Sequence, residues 1–288
     1  MRVSQLYGRG RPVFSFEFFP PKTEKGVEAL FRTLTELAPL APDFVSVTCP
    51  LDKPRRQLTF DLVARIKREL GIEAMAHLVT VDYSRAEIDA VLKQLRGANI
   101  ENVLALRGDL LPGMKPDAPR DFPHADALAV LARGEGFCVG GAAHPELHPE
   151  SRDWPGELRH ASGKVHAGVE FLVSQLFFDC DDFFGYVERA RGIGIRVPIV
   201  PGVMPVGSVP GIKRMAAQNK NRIPADFLAE LDAVAEDDAA VHRLGVAYAT
   251  KQCEELLARG APGIHFYTLN KSPATREILT ELRARGAC

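Results

Sequence analysis

The sequence predicts an α/β protein, a (β/α)8 TIM barrel formed as a single domain over residues 1–288. Short runs rich in β-branched and aromatic residues alternate with longer stretches of helical period, the pattern of a parallel sheet covered by helices. Eight such units fit in 288 residues, near the roughly 250 typical of the closed barrel. A doubly wound open sheet is the competing architecture, but no strand–turn–helix junction carries GxGxxG and no P-loop pattern occurs.

In chain order the strand candidates are VFSFEF (13–18), FVSVT (44–48), EAMAHLVT (73–80) and NVLALRGD (102–109), then FCVGGAA (137–143), FLVSQLFF (171–178), VPIVPGV (197–203) and IHFYTL (264–269). Helical period marks EKGVEALFRTLTELA, TFDLVARIKREL, RAEIDAVLKQLRGA and DALAVLARG after the first four strands, and DFFGYVERARG after the sixth. IKRMAAQ and the long AAVHRLGVAYATKQCEELLARG follow the seventh, and ATREILTELRARG closes the chain as a capped surface helix. The Pro/Gly-rich LLPGMKPDAPRDFP (110–123) reads as a long loop after the fourth strand, and no linker divides the chain.

Composition narrows the partners. Thirty-six basic against 37 acidic residues leave a net charge of −1, which gives no reason to expect nucleic acid or a membrane surface as a partner. The basic start MRVSQLYGRGRP lacks the apolar run of a signal peptide, and no stretch is long and apolar enough to span a bilayer. Cys49, Cys138, Cys180, Cys253 and Cys288 are scattered with no CxxC pair, so they read as reduced thiols of a cytoplasmic protein.

Barrel strands are apolar, so their polar exceptions carry the information. They are Glu17, Thr48, His77, Arg107 with Asp109, His144 and Gln175, each at or just beyond the C-terminal end of one of the first six strands. Those ends converge on the face where barrel loops build a site. Strand alternation sets Phe14, Phe16 and Phe18 on one face and Val13, Ser15 and Glu17 on the other, so Glu17 points inward at the mouth. Desolvation there is expected to raise its pKa, which suits a proton donor; the same position also suits an exposed strand-end glutamate.

The remaining motifs are weaker signals. ALRGD (105–109) reads either as a strand-end ion pair or as a ligand contact in which Gly108 admits close backbone approach. HPELH (144–148) lacks the HExxH order, and Pro145 and Pro149 oppose the helix a metal pair needs, so a ligand-contacting loop is expected and no metal. Gln175 is either a structural hydrogen-bonder or a reader of a heterocycle edge. Lys164 and Arg107 suit phosphates or solvent, and Lys271 suits a carboxylate.

With FSFEFFPPKT, FVSVT, AHL, LALRGD, GGAAHPELHPES, SQLFFD, PGVMPV, NRIP and HFYTLNKSP in order, the chain resembles the methylenetetrahydrofolate reductase family in its short catalytic form over almost its whole length. The resemblance implies an FAD-containing barrel that takes hydride from NAD(P)H and, by a ping-pong scheme, passes it to 5,10-methylenetetrahydrofolate. It implies that Glu17 is the general acid that opens the folate's five-membered ring to an iminium. Asp109 is implied to tune the flavin–pterin region, and Gln175, Met215 and Lys271 to meet substrate. Thr48, His77, Arg107, Gly108, Ala142, His144, His148 and Lys164 fall on flavin-contacting positions, and Ala125, Ser151 and Glu157 do so through loosely aligned loops. Self-association is a further implication. Departures cluster at the cofactor pocket: CPLDKP (49–54) replaces Tyr-Gly-Ala, His144 and His124 replace tyrosines, and Met215 replaces an aromatic. Two alternatives follow: a reductase that does not hold FAD tightly, or a non-catalytic barrel binding folate or flavin.

Overall fold

Alternation in β1 (Val13–Phe18) starts the barrel. Phe14, Phe16 and Phe18 pack outward with Leu30, Leu34 and Leu37 of α1 (Glu24–Leu37), while Val13 joins the interior. The computed structural model describes residues 1–115 and 118–287; Pro116 and Asp117 of the long loop, and Cys288, lie outside the described residues. The chain continues through β2 (Phe44–Val47), α2 (Arg56–Leu70), β3 (Ala74–Val79), α3 (Arg85–Gly97), β4 (Asn102–Leu106), α4 (Ala125–Gly134), β5 (Cys138–Ala143) and α5 (Trp154–His166). Then come β6 (Phe171–Ser174), α6 (Cys180–Gly192), β7 (Ile199–Val200), β8 (Gly202–Val203), α7 (Val209–Asn219), α8 (Ala225–Ala233), α9 (Asp238–Ala258), β9 (Gly263–Tyr267) and α10 (Pro273–Ala284).

All strand pairs are parallel, in the order β7-β6-β5-β4-β3-β2-β1-β9-β8. The expected seventh strand, VPIVPGV, is split: β7 bonds only β6 and β8 bonds only β9. Pro201 stands between the halves without an N–H to donate, although its carbonyl still accepts from the His265 N–H at 2.9 Å. The ring therefore has eight strand positions built from nine strands. Tyr267 reaches across this break, its hydroxyl donating to the Ser174 carbonyl at 2.5 Å. Gly202 makes room for it, since a Cβ there would lie 2.6 Å from the Tyr267 ring.

The barrel interior is filled by Val13, Phe44, Met75, Leu104, Cys138, Phe171 and Val173, with Val3 and Leu6 closing its N-terminal end. Outside, Phe16, Phe18 and Phe266, each at most 1% exposed, lie between sheet and helices; burial stabilises each by about 1.5–3 kcal/mol. Leu176, Phe178, Met204 and Val206 join α7, α8 and α9 in a separate apolar cluster. Thr23, Ser84, Asp153, Asp179, Ser208 and Asp237 accept first-turn N–H groups of the helices they precede. The cap expected on α10 is absent, because the Ser272 hydroxyl donates to Glu36 of α1 instead.

At the mouth, Thr268 and Asn270 tie the end of β9 to β1. The Thr268 hydroxyl donates to the Glu17 carbonyl at 2.6 Å, and Asn270 exchanges two hydrogen bonds with the Phe19 backbone at 2.8 and 2.9 Å. Asn270 does this from the left-handed region, φ 59°, which Asn tolerates. The TLN of the HFYTLN motif thus fixes the height of Glu17 in the barrel. Among the described residues no helix is long and apolar enough to cross a membrane.

Candidate active site

Glu17 occupies the inner face of β1, as alternation predicts. The adjacent β9 and, across β2, the strand β3 bring two imidazoles to the same carboxylate oxygen: His265 Nε2 is 3.2 Å from Oε2, and His77 Nε2 is 3.3 Å from it. The His77 contact is not angled as a hydrogen bond, which leaves His77 Nε2 buried without one. On its other side His265 Nδ1 meets Ser15 Oγ at 2.7 Å, and its ring stacks on Phe44. Ser46, paired across the sheet with Glu17, adds a fully buried hydroxyl with no hydrogen-bond partner.

This surrounding corrects the expected direction of the Glu17 pKa. Burial does raise it, but attraction to His77 and the hydrogen bond and charge of His265 more than offset that, and the carboxyl sits below its ordinary value. Burial pushes His77 down to about 4, against a smaller rise from Glu17. The sequence reading missed His265, although its parity with Gly263 and Tyr267 in β9 carries it to the interior.

A second cluster gathers residues that the resemblance assigns to flavin. Glu157, on α5 and 2% exposed, accepts from Ser151 Oγ at 2.6 Å and from the His148 N–H at 3.3 Å, and meets His144 Nδ1 at 3.2 Å. Burial raises its carboxyl, but His144, Ser151 and Lys164 together hold it at about 2. Lys164 donates to the Ala142 carbonyl, and burial lowers its ammonium pKa. His144 and His148 pack edge to face with centroids 4.6 Å apart, so the His144 ring is pinned on two sides, by His148 and by Glu157. Burial lowers the pKa of both. His148 Nδ1 accepts from the Glu150 N–H at 3.1 Å, and Glu150 forms a two-pronged pair with Arg107, both contacts 2.8 Å. Ala142, His144, His148, Ser151, Glu157 and Lys164 are thus one connected group, joined to Arg107 through Glu150.

Other expected site residues stand apart. Gln175 is largely satisfied internally: its Oε1 accepts from the Leu176 N–H at 2.8 Å and its Nε2 donates to Asn219 at 3.2 Å, leaving one N–H and one lone pair. Asn219 in turn donates to the Met215 carbonyl at 3.0 Å. Asp109 and Lys271 are exposed, in the loops after β4 and β9. The Thr48 carbonyl accepts from Thr59 of α2 at 2.8 Å. Gly108 has φ 84°, and a Cβ there would run into Val79. The divergent CPLDKP loop is held by Arg56, which is fully buried. Arg56 donates to the carbonyls of Pro50 and Leu51 at 2.9 and 2.7 Å and pairs with Asp82 at 2.5 Å. Burial raises the pKa of the Cys49 thiol beside it.

The donor set fits a bulky anionic cofactor. α4 begins at Ala125 with no side-chain cap from His124; Asp126 accepts the Ala127 N–H at 2.7 Å, which leaves the Ala125 and Asp126 N–H groups, without a partner among the described residues, for an anion. Arg107 lies near enough to His124 to lower its pKa, an effect smaller than those of burial and His160. Gly108 is packed against Val79 and Leu51, and its carbonyl accepts from Arg107 Nε at 2.8 Å. No group of three or more metal-ligating side chains occurs among the described residues.

Fold and site together define a (β/α)8 barrel whose C-terminal face carries a carboxylate hydrogen-bonded by one imidazole and approached by a second. The family model for methylenetetrahydrofolate reductase matches residues 2–283. Methylenetetrahydrofolate reductase (NADH) 1 of Arabidopsis thaliana is 35% identical over 98% of this chain and 50% of its own length. The 5,10-methylenetetrahydrofolate reductase of Escherichia coli (strain K12) is 33% identical over 96% of this chain and 93% of its own. The chain belongs to the methylenetetrahydrofolate reductase family. It spans about half the length of the plant relatives it matches. An uncharacterized protein from Clostridium thermocellum that binds two copies of 5-methyl-5,6,7,8-tetrahydrofolic acid shares the fold, with TM-score 0.62 and 14% identity over 100% of this chain and 99% of that one.

Proposed function

We propose that the protein reduces 5,10-methylenetetrahydrofolate to 5-methyltetrahydrofolate with NAD(P)H as donor, the two substrates using the pocket in turn. The single observation that carries this reading is Glu17, anchored through Oε2 at the barrel mouth in a chain of this family. Glu17 protonates the ring nitrogen that leaves, the C–N bond's electron pair stays on that nitrogen, and the neighbouring nitrogen's lone pair forms the iminium that accepts hydride. Gln175, Asp109, Met215 and Lys271 orient the folate. Arg107, Lys164, His148, Thr48, His77 and the start of α4 at Ala125 would hold FAD, with Gly108 admitting it closely. FAD supplies a two-electron carrier between donor and acceptor. Relatives include forms named for NADH and for NADPH, so either donor fits. A cytoplasmic, self-associating protein agrees with the family, and sedimentation of the purified chain tests the assembly.

Glu17→Gln keeps shape and hydrogen bonding but has no acid proton. Folate reduction should fall by about 10²–10⁴-fold, the range of general acid catalysis, while oxidation of the nicotinamide donor by an artificial acceptor persists. Undiminished folate turnover in that variant would remove the acid role.

One observation favours a reading in which flavin is held weakly. Arg107 is closed on Glu150, Lys164 is turned onto Ala142, and His144 is fixed to Glu157. The visible spectrum after loading with FAD and desalting separates the two: a retained, NADH-bleachable band supports tight flavin, and its loss supports the weaker form.

A further inference from the structure

The group that holds the acid in place lies on the opposite end of the chain from it. Both imidazole contacts to Glu17 fall on Oε2, and among the described residues Oε1 makes no hydrogen bond. The two oxygens are therefore unequal: one is anchored and the other is left for a substrate. Behind His265, the Ser15 hydroxyl has no other acceptor among the described residues, so its proton goes to Nδ1 and the ring proton is fixed on Nε2, facing Glu17. Ser15 and His265 are both fully buried, and Phe44 stacks on the ring, so the imidazole cannot swing away.

We propose that His265 is the positioning residue of the acid, with Ser15 setting its tautomer, so that Ser15, His265 and Glu17 act as one oriented chain. This rests on the reading of Glu17 as the proton donor. When Glu17 gives its proton from Oε1, that O–H bond breaks, the substrate N–H bond forms, and the O–H electron pair remains on the carboxylate. The His265 N–H meets this new charge at Oε2 without reorganising, as preorganised donors do elsewhere. The groups facing Glu17 are His77 on β3 and His265 and Tyr267 on β9; Ser46 on β2 carries no charge. His77 lies within 3.3 Å but without hydrogen-bond geometry, so it acts through charge and polarity alone.

The test compares four variants by the pH profile of folate reduction and by folate binding measured separately. His265→Phe preserves stacking but removes the donor. It should lower turnover about 100-fold with folate affinity retained, and should move the alkaline limb of the profile to higher pH, because burial then acts on Glu17 with less opposition. His265→Gln restores an N–H near the Nε2 position and should recover most of the rate. Ser15→Ala adds no bulk and should shift the limb in the same direction by less, so it carries the test even if the His265→Phe change disturbs the barrel. A wild-type profile in both His265→Phe and Ser15→Ala would overturn the inference. Glu17→Gln separates the two readings: if that variant keeps folate turnover, the acid assignment fails first; if it is inactive while the His265 and Ser15 variants are normal, only the positioning role fails.

Discussion

Gly108 shows how one atom decides whether a loop can exist. Its φ of 84° is open to glycine and strained for other residues, and any Cβ would meet Val79 on the neighbouring strand. Gly108→Ala should therefore destabilise the fold by about 1–3 kcal/mol, read as a lower urea midpoint at unchanged slope, and should weaken any ligand seated against ALRGD. The sequence pointed to this glycine because it lies between two charges at a strand end. Glu17 was legible for a similar reason, since strict alternation leaves one carboxylate facing inward. Its pKa direction was not, because the partners that lower it, His77 on β3 and His265 on β9, are distant in the chain, and local sequence carries no measure of their approach.

Among elements, the loop between β2 and α2 has its own support. Arg56 holds two loop carbonyls and Asp82, while Lys53 pairs with Glu87 at 2.7 Å and lies over the Tyr83 ring at 4.7 Å. A cation of the loop and one at the start of α2 are thus clasped by the segment that follows β3. Arg56→Met keeps the apolar stem but leaves Asp82 and both carbonyls without their partner. Equilibrium urea unfolding should show a loss of about 3 kcal/mol, far above the effect of removing the exposed Arg65–Glu69 pair. The eight strand positions were readable from β-branched and aromatic runs. Two helices escaped singling out for clear physical reasons: α5 contains Gly156, Ser162 and Gly163, poor helix formers that blur its period, and α8 is only nine residues long. The grouping of Glu157 with His144, His148 and Ser151 depends on where α5 lies, so it stayed hidden with that helix.

At the scale of the whole molecule, the buried titratable groups make the fold sensitive to acid. His77 binds its proton at about 4 when folded against 6.5 when exposed, and Glu157 at about 2 against 4.5. Both are depressed, so their stabilisation is complete above the exposed values and is lost as pH falls. His77 acts between about 6.5 and 4 and Glu157 between about 4.5 and 2, while His144, lowered chiefly by burial, contributes in the same direction. His77 should remove about 1.4 kcal/mol per pH unit between about 6.5 and 4, and His77→Gln should flatten that limb in urea titrations at pH 7 and pH 5. The closed ring itself was expected from the count of strands, but its break at Pro201 was not, because a proline inside a β-rich run does not reveal which backbone bonds its neighbours keep. That break has a mechanical meaning. Around most of the circumference, adjacent strands are zipped by backbone ladders, whereas at the seventh position two dipeptides, the Tyr267 hydroxyl and the Gly202 N–H on Ser174 Oγ bear the load. A hoop is weakest at its thinnest stave, so the seventh position is where this barrel should open first, beside the ring of His265 that meets Glu17; hydrogen exchange of the β6 and β9 amides should show it as earlier loss of protection there than in β3 and β4.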